Sequence, residues 1–378
     1  MTQKYLIKLT PHSYFFFGGE RTFGDKANYL VKSNDFPQQT ALLGLIRYQL
    51  LRNSDCFNME KNRIISSKNA DVSTLIGPNS FEVGNTFEFG KIKSLSPVFI
   101  ARNQQGEVDY LFHANNEYQI NEKKEETEFL EIGRMETPNE QFFHLEKYSA
   151  KFGLNTFYQS QQSSELVEPD KIFADRQQTG IRKNYKGETE DNAYYIQFFK
   201  RFQNSADRQY SFAFVLELDA SVNHEILNQP KVVLGAEQCT FTMECSPFEE
   251  EFKDLIPDFH PSRNSDKVVL VSDAYVGEED PLKFCDFAIT DTVDFRFLKT
   301  SVDTTENYAD MDRSLKTYAK KVTKSEKFTL YKKGSVFYTN DTKQLENLFK
   351  KDSFQNFQDL GYNQIKVITK RNNHENKQ

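Results

Sequence analysis

Polar and apolar residues alternate over residues 4–10 (KYLIKLT), the pattern of a half-buried strand. Pro11 interrupts it, and a glycine-containing loop follows over 17–24. Pro37, Gln38 and Gln39 then lead into a helix predicted over 40–52. Leu42, Leu43, Ile46, Leu50 and Leu51 form its apolar stripe, and Thr40 is the candidate N-cap. From 53 to 202 the periodicity is poor. Short strands are predicted at 96–101 and 108–113, among polar loops such as the charge run 121–128 and the stretch 159–168. This region reads as a long, loop-rich insertion. Regularity returns with a strand at 210–218, a short helix at 221–228 and a strand within 231–245, after Gly235.

The remainder repeats that order. Strands are predicted at 267–276 and 294–298, with a helix between them at 278–287. A basic segment follows, then a strand over 327–339 kinked at Gly334. A helix at 341–351, with Leu345, Leu348 and Phe349 on one side, and a strand at 365–369 end the pattern. The tail 370–378 is polar and expected to fray. Each half therefore reads β-α-β-β-α-β, the split βαβ order. The expectation is an α+β chain of two tandem ferredoxin-like (RRM-like) domains, 1–247 and 248–378, with the insertion in the first at about 53–202. Only element order repeats; no residue-level repeat is visible.

Composition narrows the function. A length of 378 residues exceeds one comfortable core, which agrees with two domains. A net charge of −7 argues against coating nucleic acid by bulk electrostatics, so any RNA contact must come from local basic patches. The cysteines Cys56, Cys239, Cys245 and Cys285 form no C-x-x-C pair and have no zinc spacing with histidine. They read as reduced thiols of a cytoplasmic protein. No signal peptide or membrane span is expected, since the apolar run at 14–17 is far too short. The acidic groups Glu278-Glu279-Asp280 and Asp286, Asp291, Asp294 lack a calcium-loop spacing, so neither metal nor cofactor is expected. No H-E-x-x-H, G-x-S-x-G or Walker loop occurs.

Four places carry the types that hold single-stranded RNA: cations for phosphates, aromatics for stacking and open backbone amides. Gly18 and Gly19 permit close backbone approach, with Arg21 beside them; an ordinary turn is the alternative. Arg47 borders the apolar stripe of the first helix and is expected to be partly exposed. Gly180, Ile181, Arg182, Lys183 and Asn184 lie near Lys186, with Tyr185, Tyr194 and Tyr195 interleaved; Ile181 could be an apolar wedge. The densest basic stretch holds Arg313, Lys316, Lys320, Lys321, Lys324, Lys327, Lys332 and Lys333, opposed only by Asp312 and Glu326. A solvated linker is the competing reading there.

Several segments together resemble the RAMP superfamily of CRISPR proteins, and within it the family of the third-numbered Cmr subunit. They are Phe16-Phe17-Gly18-Gly19 through Gly24, then Phe36-Pro37-Gln38-Gln39-Thr40 through Gly44 and Arg47. Next come Gly180-Ile181-Arg182-Lys183-Asn184 with Tyr194-Tyr195, and the turn Leu234-Gly235-Ala236-Glu237. Last is Gly334-Ser335-Val336-Phe337-Tyr338, with Leu360-Gly361-Tyr362. Two departures stand out: Asn363 where the family often has a second glycine, and Lys332-Lys333 in place of Pro-Ala. They leave the Csm-type counterpart as an alternative. The resemblance implies a non-catalytic scaffold that caps the 5′ repeat-derived tag of the crRNA. It implies contacts with the large polymerase-like subunit and the first backbone subunit, an indirect relation to target RNA, and a thumb-like hairpin from the insertion. It also brings Thr40 into the RNA-binding set. Two other hypotheses remain open: a metal-independent endoribonuclease for guide precursors, with His12 as base, and a protein-interaction module without RNA.

Overall fold

The alternation at the N-terminus becomes the strand Thr2–Pro11. It lies inside a nine-stranded sheet, antiparallel to Arg208–Asp219 on one side and Thr240–Pro247 on the other. The computed structural model describes residues 1–18, 21–22, 29–60, 63–84, 89–121, 126–136, 141–302 and 320–371. At some strand positions, among them Arg21, Arg182, Lys320 and Lys321, the backbone alone is described. Gly19, Arg313, Lys316 and the tail beyond Arg371 lie outside the described residues.

Strand side chains alternate between faces. Tyr5, Ile7 and Leu9 point toward the helix Gln39–Arg52, whose Leu42, Leu43, Ile46 and Leu50 complete the largest core. Leu6 points the other way. With Phe99, Ala213 and Val215 it packs on Val269, Val336 and Tyr338 of a second, four-stranded sheet. That sheet has the order Phe287–Ile289, Val336–Thr339, Asp266–Leu270, Ile365–Ile368, antiparallel throughout. Its far face packs Val268, Leu270 and Phe337 on Leu345, Leu348 and Phe349 of the helix Thr342–Phe349. Helix, sheet, sheet and helix thus stack in four layers. The chain is a mixed α+β protein, rich in strands with few helices.

Several expectations change. The first helix starts at Gln39 with Gln38 as its uncapped N-cap, so Thr40 is within the first turn and caps nothing. Over 278–287 there is no α-helix, only a short 3-10 turn, Pro281–Phe284, and the strand Phe287–Ile289. Asp280 caps this turn, accepting from Leu282 N at 3.0 Å with Pro281 at its first position, but the strand that begins at Phe287 leaves room for only one turn. The helix expected at 221–228 is likewise one 3-10 turn, His224–Leu227. The segment 327–339 divides at Gly334 into Phe328–Tyr331, paired with Thr292–Phe295, and Val336–Thr339 in the second sheet. Within 53–202 the strands predicted at 96–101 and 108–113 are present as Phe99–Gln104 and Glu107–His113, and the stretch is less loop-like than expected because Ile92–Leu95, Tyr158–Ser160 and Leu166–Val167 also join the first sheet.

Between the sheets sits a buried ion pair. Lys267 Nζ lies 2.6 and 2.8 Å from the Glu117 carboxylate oxygens, and both side chains are fully buried. Tyr338 and Asn115 also donate to Glu117. Burial pushes the Glu117 carboxyl up and the Lys267 ammonium down, and each partner opposes that shift in the other. Removing one member strands a buried charge. Glu117→Ala is expected to cost about 3–5 kcal/mol in urea unfolding. The paired change Glu117→Leu with Lys267→Met should recover most of that loss. A single variant as stable as wild type would mean that the pair does not hold the sheets together.

Candidate nucleic-acid interface

A cleft of about 1450 Å³ opens between the two halves of the chain. Its walls carry seven lysine or arginine side chains, five aspartates and seven Phe or Tyr rings. In a chain of net charge −7, that local excess of cations is a reversal of sign. Three short segments build the floor. Phe36 precedes the first helix, Tyr158 comes from a strand one in from the edge of the first sheet, and Lys333 comes from the turn at Gly334.

The turn is glycine-dependent. Gly334 has φ +85°, and a Cβ there would lie 2.7 Å from the His113 ring. Its carbonyl accepts from Asn116 N at 2.8 Å, and Lys333 N donates to Asp273 Oδ1 at 2.9 Å. The Lys333 ammonium is 3.5 Å from the centroid of the Phe36 ring. Burial holds its pKa below the ordinary lysine value, although Asp273 and Asp35 pull the other way. His113 behind it is driven down to about 3, by burial first and by Lys333 second, and stays neutral.

Aspartates hold most of the other cations. Lys200 bridges Asp35 at 2.7 Å and Asp175 at 3.2 Å. Lys332 pairs with Asp291 at 2.6 Å, and Lys327 with Asp294 at 2.7 Å. Lys324 stands exposed on the rim, and Lys32 lies over the Phe198 ring at 5.5 Å. Gly18 also lines the cleft, its carbonyl accepting from Asn34 N at 2.8 Å.

From the cleft a long hairpin projects, Phe173–Lys183 paired with Thr189–Phe202. Asp175, Phe198 and Lys200 on one face line the cleft. Farther out on the same face, Ile181 and Tyr194 are directly opposed and are 53% and 40% exposed. Tyr185 at the tip is 93% exposed. Asn184 staples the turn by accepting from Lys186 N and Glu188 N at 2.9 and 3.0 Å. Gly180 lies beneath the Tyr195 ring, which a Cβ would meet at 2.2 Å.

The sequence-predicted residues therefore divide. Gly18, Lys324, Lys332 and Lys333 come together in the cleft. Gly180, Ile181, Lys183 and Asn184 lie on the hairpin, with the Arg182 backbone between them. Arg21 continues the hairpin sheet, and Lys320 and Lys321 lie on a separate pair of strands. Arg47 is turned inward. It donates to the Asn79 carbonyl at 3.0 Å, stands 5.8 Å from the Phe89 ring, and burial lowers its pKa to about 10. Lys32, Phe36, Phe198 and Lys200 also line the cleft. For Phe198 and Lys200, the interleaved aromatics and cations of 194–202 are the signal in sequence.

The family model described as CRISPR-associated protein (Cas_Cmr3) matches residues 7–370. The chain belongs to the Cas_Cmr3 family. The Cas_Cmr3 match takes in the whole cleft and the hairpin. No curated protein sequence matches the chain. A chain of the type III-B Cmr-beta structure bound to cognate target RNA and AMPPnP (state 1) is similar to it. The TM-score is 0.50 at 14% identity, covering 97% of this chain and 99% of that one. A second Cmr-beta structure, bound to cognate target RNA, gives TM-score 0.50 and 14% identity over 98% and 99%. At that identity the likeness is one of fold. The Cas_Cmr3 departures have local explanations. Asn363 adopts φ +57°, a conformation asparagine tolerates, and its amide donates to the Tyr275 and Phe349 carbonyls at 2.8 and 2.9 Å. Lys332 N donates to the Asp291 carbonyl at 2.8 Å, a bond that proline cannot make.

Lys333 yields a prediction with a definite sign. Its folded pKa lies below the ordinary 10.5, so its charged form costs stability at neutral pH. That cost shrinks as pH rises toward 10.5. Lys333→Met should raise the thermal midpoint at pH 7, with the gap to wild type closing in alkaline buffer. A midpoint below wild type would show that the ammonium is stabilising where it stands.

Proposed function

We propose that the chain is a non-catalytic, guide-RNA-gripping subunit of a type III-B Cmr effector complex in the cytoplasm. The crRNA lies in the cleft with its 5′ repeat-derived tag, and the hairpin is the thumb that wedges beside a displaced nucleotide. The protein partners are the large polymerase-like subunit and the neighbouring backbone subunit; target RNA is met through the guide. The observation that carries this reading is the cleft itself, where cations and aromatic rings from both halves face one channel. The aspartates there hold the lysines in place until phosphates take them over. Family membership over nearly the whole chain supports the setting.

The sheets fit two split βαβ units. In the first, Phe99–Gln104, Arg208–Asp219, Thr2–Pro11 and Thr240–Pro247 lie side by side, the spatial order 2-3-1-4 by position along the chain. The second sheet has the same order. This supports reading the chain as tandem ferredoxin-like domains, divided near residue 247.

Holding is favoured over cutting. His12, the candidate base of a guide-processing nuclease, contacts the hydroxyls of Thr242 at 2.8 Å and Thr240 at 3.2 Å. It is not among the residues lining the cleft.

The test is co-purification of the tagged chain expressed with its genomic neighbours. A multi-subunit particle carrying RNA with one constant 5′ end is expected. Lys32→Glu with Lys324→Glu should lower the RNA yield several-fold and make its dependence on salt shallower. A monomer without RNA would sink the reading. Cleavage of repeat RNA by the isolated chain, lost on His12→Ala, would replace it with the nuclease.

A further inference from the structure

The rear face of the long hairpin carries a second cationic surface. Side chains alternate along its strands, so Asp175 and Lys200 look into the cleft while Arg176 and Arg201 look away from it. There the Arg176 guanidinium stands 4.5 Å from the centroid of the Tyr14 ring, and that of Arg201 stands 5.4 Å from it. Both arginines are exposed and Tyr14 is half-buried. Among the described residues, neither arginine has a carboxylate partner.

Two guanidiniums converging on one ring repel each other, and an anion between them removes that repulsion. A guanidinium lying over a ring keeps its in-plane N–H donors free, the fork that fits a phosphate. Position suggests which anion. Phe173–Lys183 is the edge strand of its sheet, so only one strand's width separates the cleft face from the rear face. A polyanion leaving the cleft over this edge passes from Lys200 to Arg176 and Arg201.

We propose that Tyr14, Arg176 and Arg201 form a phosphate-backbone site for single-stranded RNA that continues round the hairpin edge from the strand held in the cleft. This rests on the reading of the cleft as RNA-binding. An acidic segment of a protein partner would share the chemistry, but the continuity with the cleft favours RNA.

The full-length chain would be titrated with oligouridylates of about 6 and about 20 nucleotides over a range of salt. For the longer RNA, Arg176→Ala with Arg201→Ala should reduce the slope of log affinity against log salt by roughly 1.4, two phosphate contacts' worth. The shorter RNA should bind unchanged. Arg176→Lys with Arg201→Lys should keep most of the slope, because it keeps the charge. An unchanged slope on the longer RNA overturns the proposal. So does loss of a co-purifying protein partner while RNA binding stays intact, which would assign the site to an acidic segment. A wild-type chain that binds the short RNA but gains nothing from added length defeats this site alone. One that binds neither RNA defeats the cleft reading as well.

Discussion

A wide sheet has two faces to bury, and one helix can cover only one of them. Gln39–Arg52 covers one face of the nine-stranded sheet; the other is covered by a second sheet from the C-terminal third of the chain. The rest follows from that packing. The halves share a core, and the channel between them is walled by residues far apart in sequence, such as Phe36 and Lys333. The Glu117–Lys267 pair lies at this junction. A desolvated ion pair contributes little net stability against apolar packing, but it penalises any register in which its partners separate.

The cleft follows a second constraint. Lysines lining an empty channel would repel one another. Here aspartates hold Lys200, Lys327 and Lys332, and the Phe36 ring holds Lys333. Solvent-exposed ion pairs are worth little, so a phosphate can replace an aspartate at small cost. On the proposed reading, the same device would let a chain of net charge −7 bind a polyanion locally without attracting nucleic acid over its whole surface. Lys333 differs, since its partner is a ring and its burial is not relieved by a hydrogen-bonded carboxylate.

Local pattern was read well where one face of a segment is buried. The strands at 4–10 and 210–218 and the helices at 40–52 and 341–351 follow their apolar periodicity closely. It failed at 278–287, where the chain enters the second sheet at Phe287 after a single turn, and over the rest of 53–202 beyond the strands at 96–101 and 108–113, where short polar strands such as Leu166–Val167 join the first sheet. In the site, the glycine turns and the basic run were visible as types in sequence. Arg47 looked the same as any surface arginine, yet Asn79 and Phe89 draw it inward.

Sequence alone determined the mixed α+β class, the order of the main elements, the family and the segments that carry cations beside aromatics. These depend on neighbours along the chain, through periodicity, turn chemistry and motif spacing. Tertiary structure decided which cations meet. Lys32, Lys200 and Lys333 are distant in sequence and share one cleft, whereas half-buried Arg47 is held against Asn79 and Phe89 away from it. It also decided that the hairpin has a cleft face and a rear face with different charges. Such facts depend on how two sheets pack, and packing is set by contacts that no local window contains.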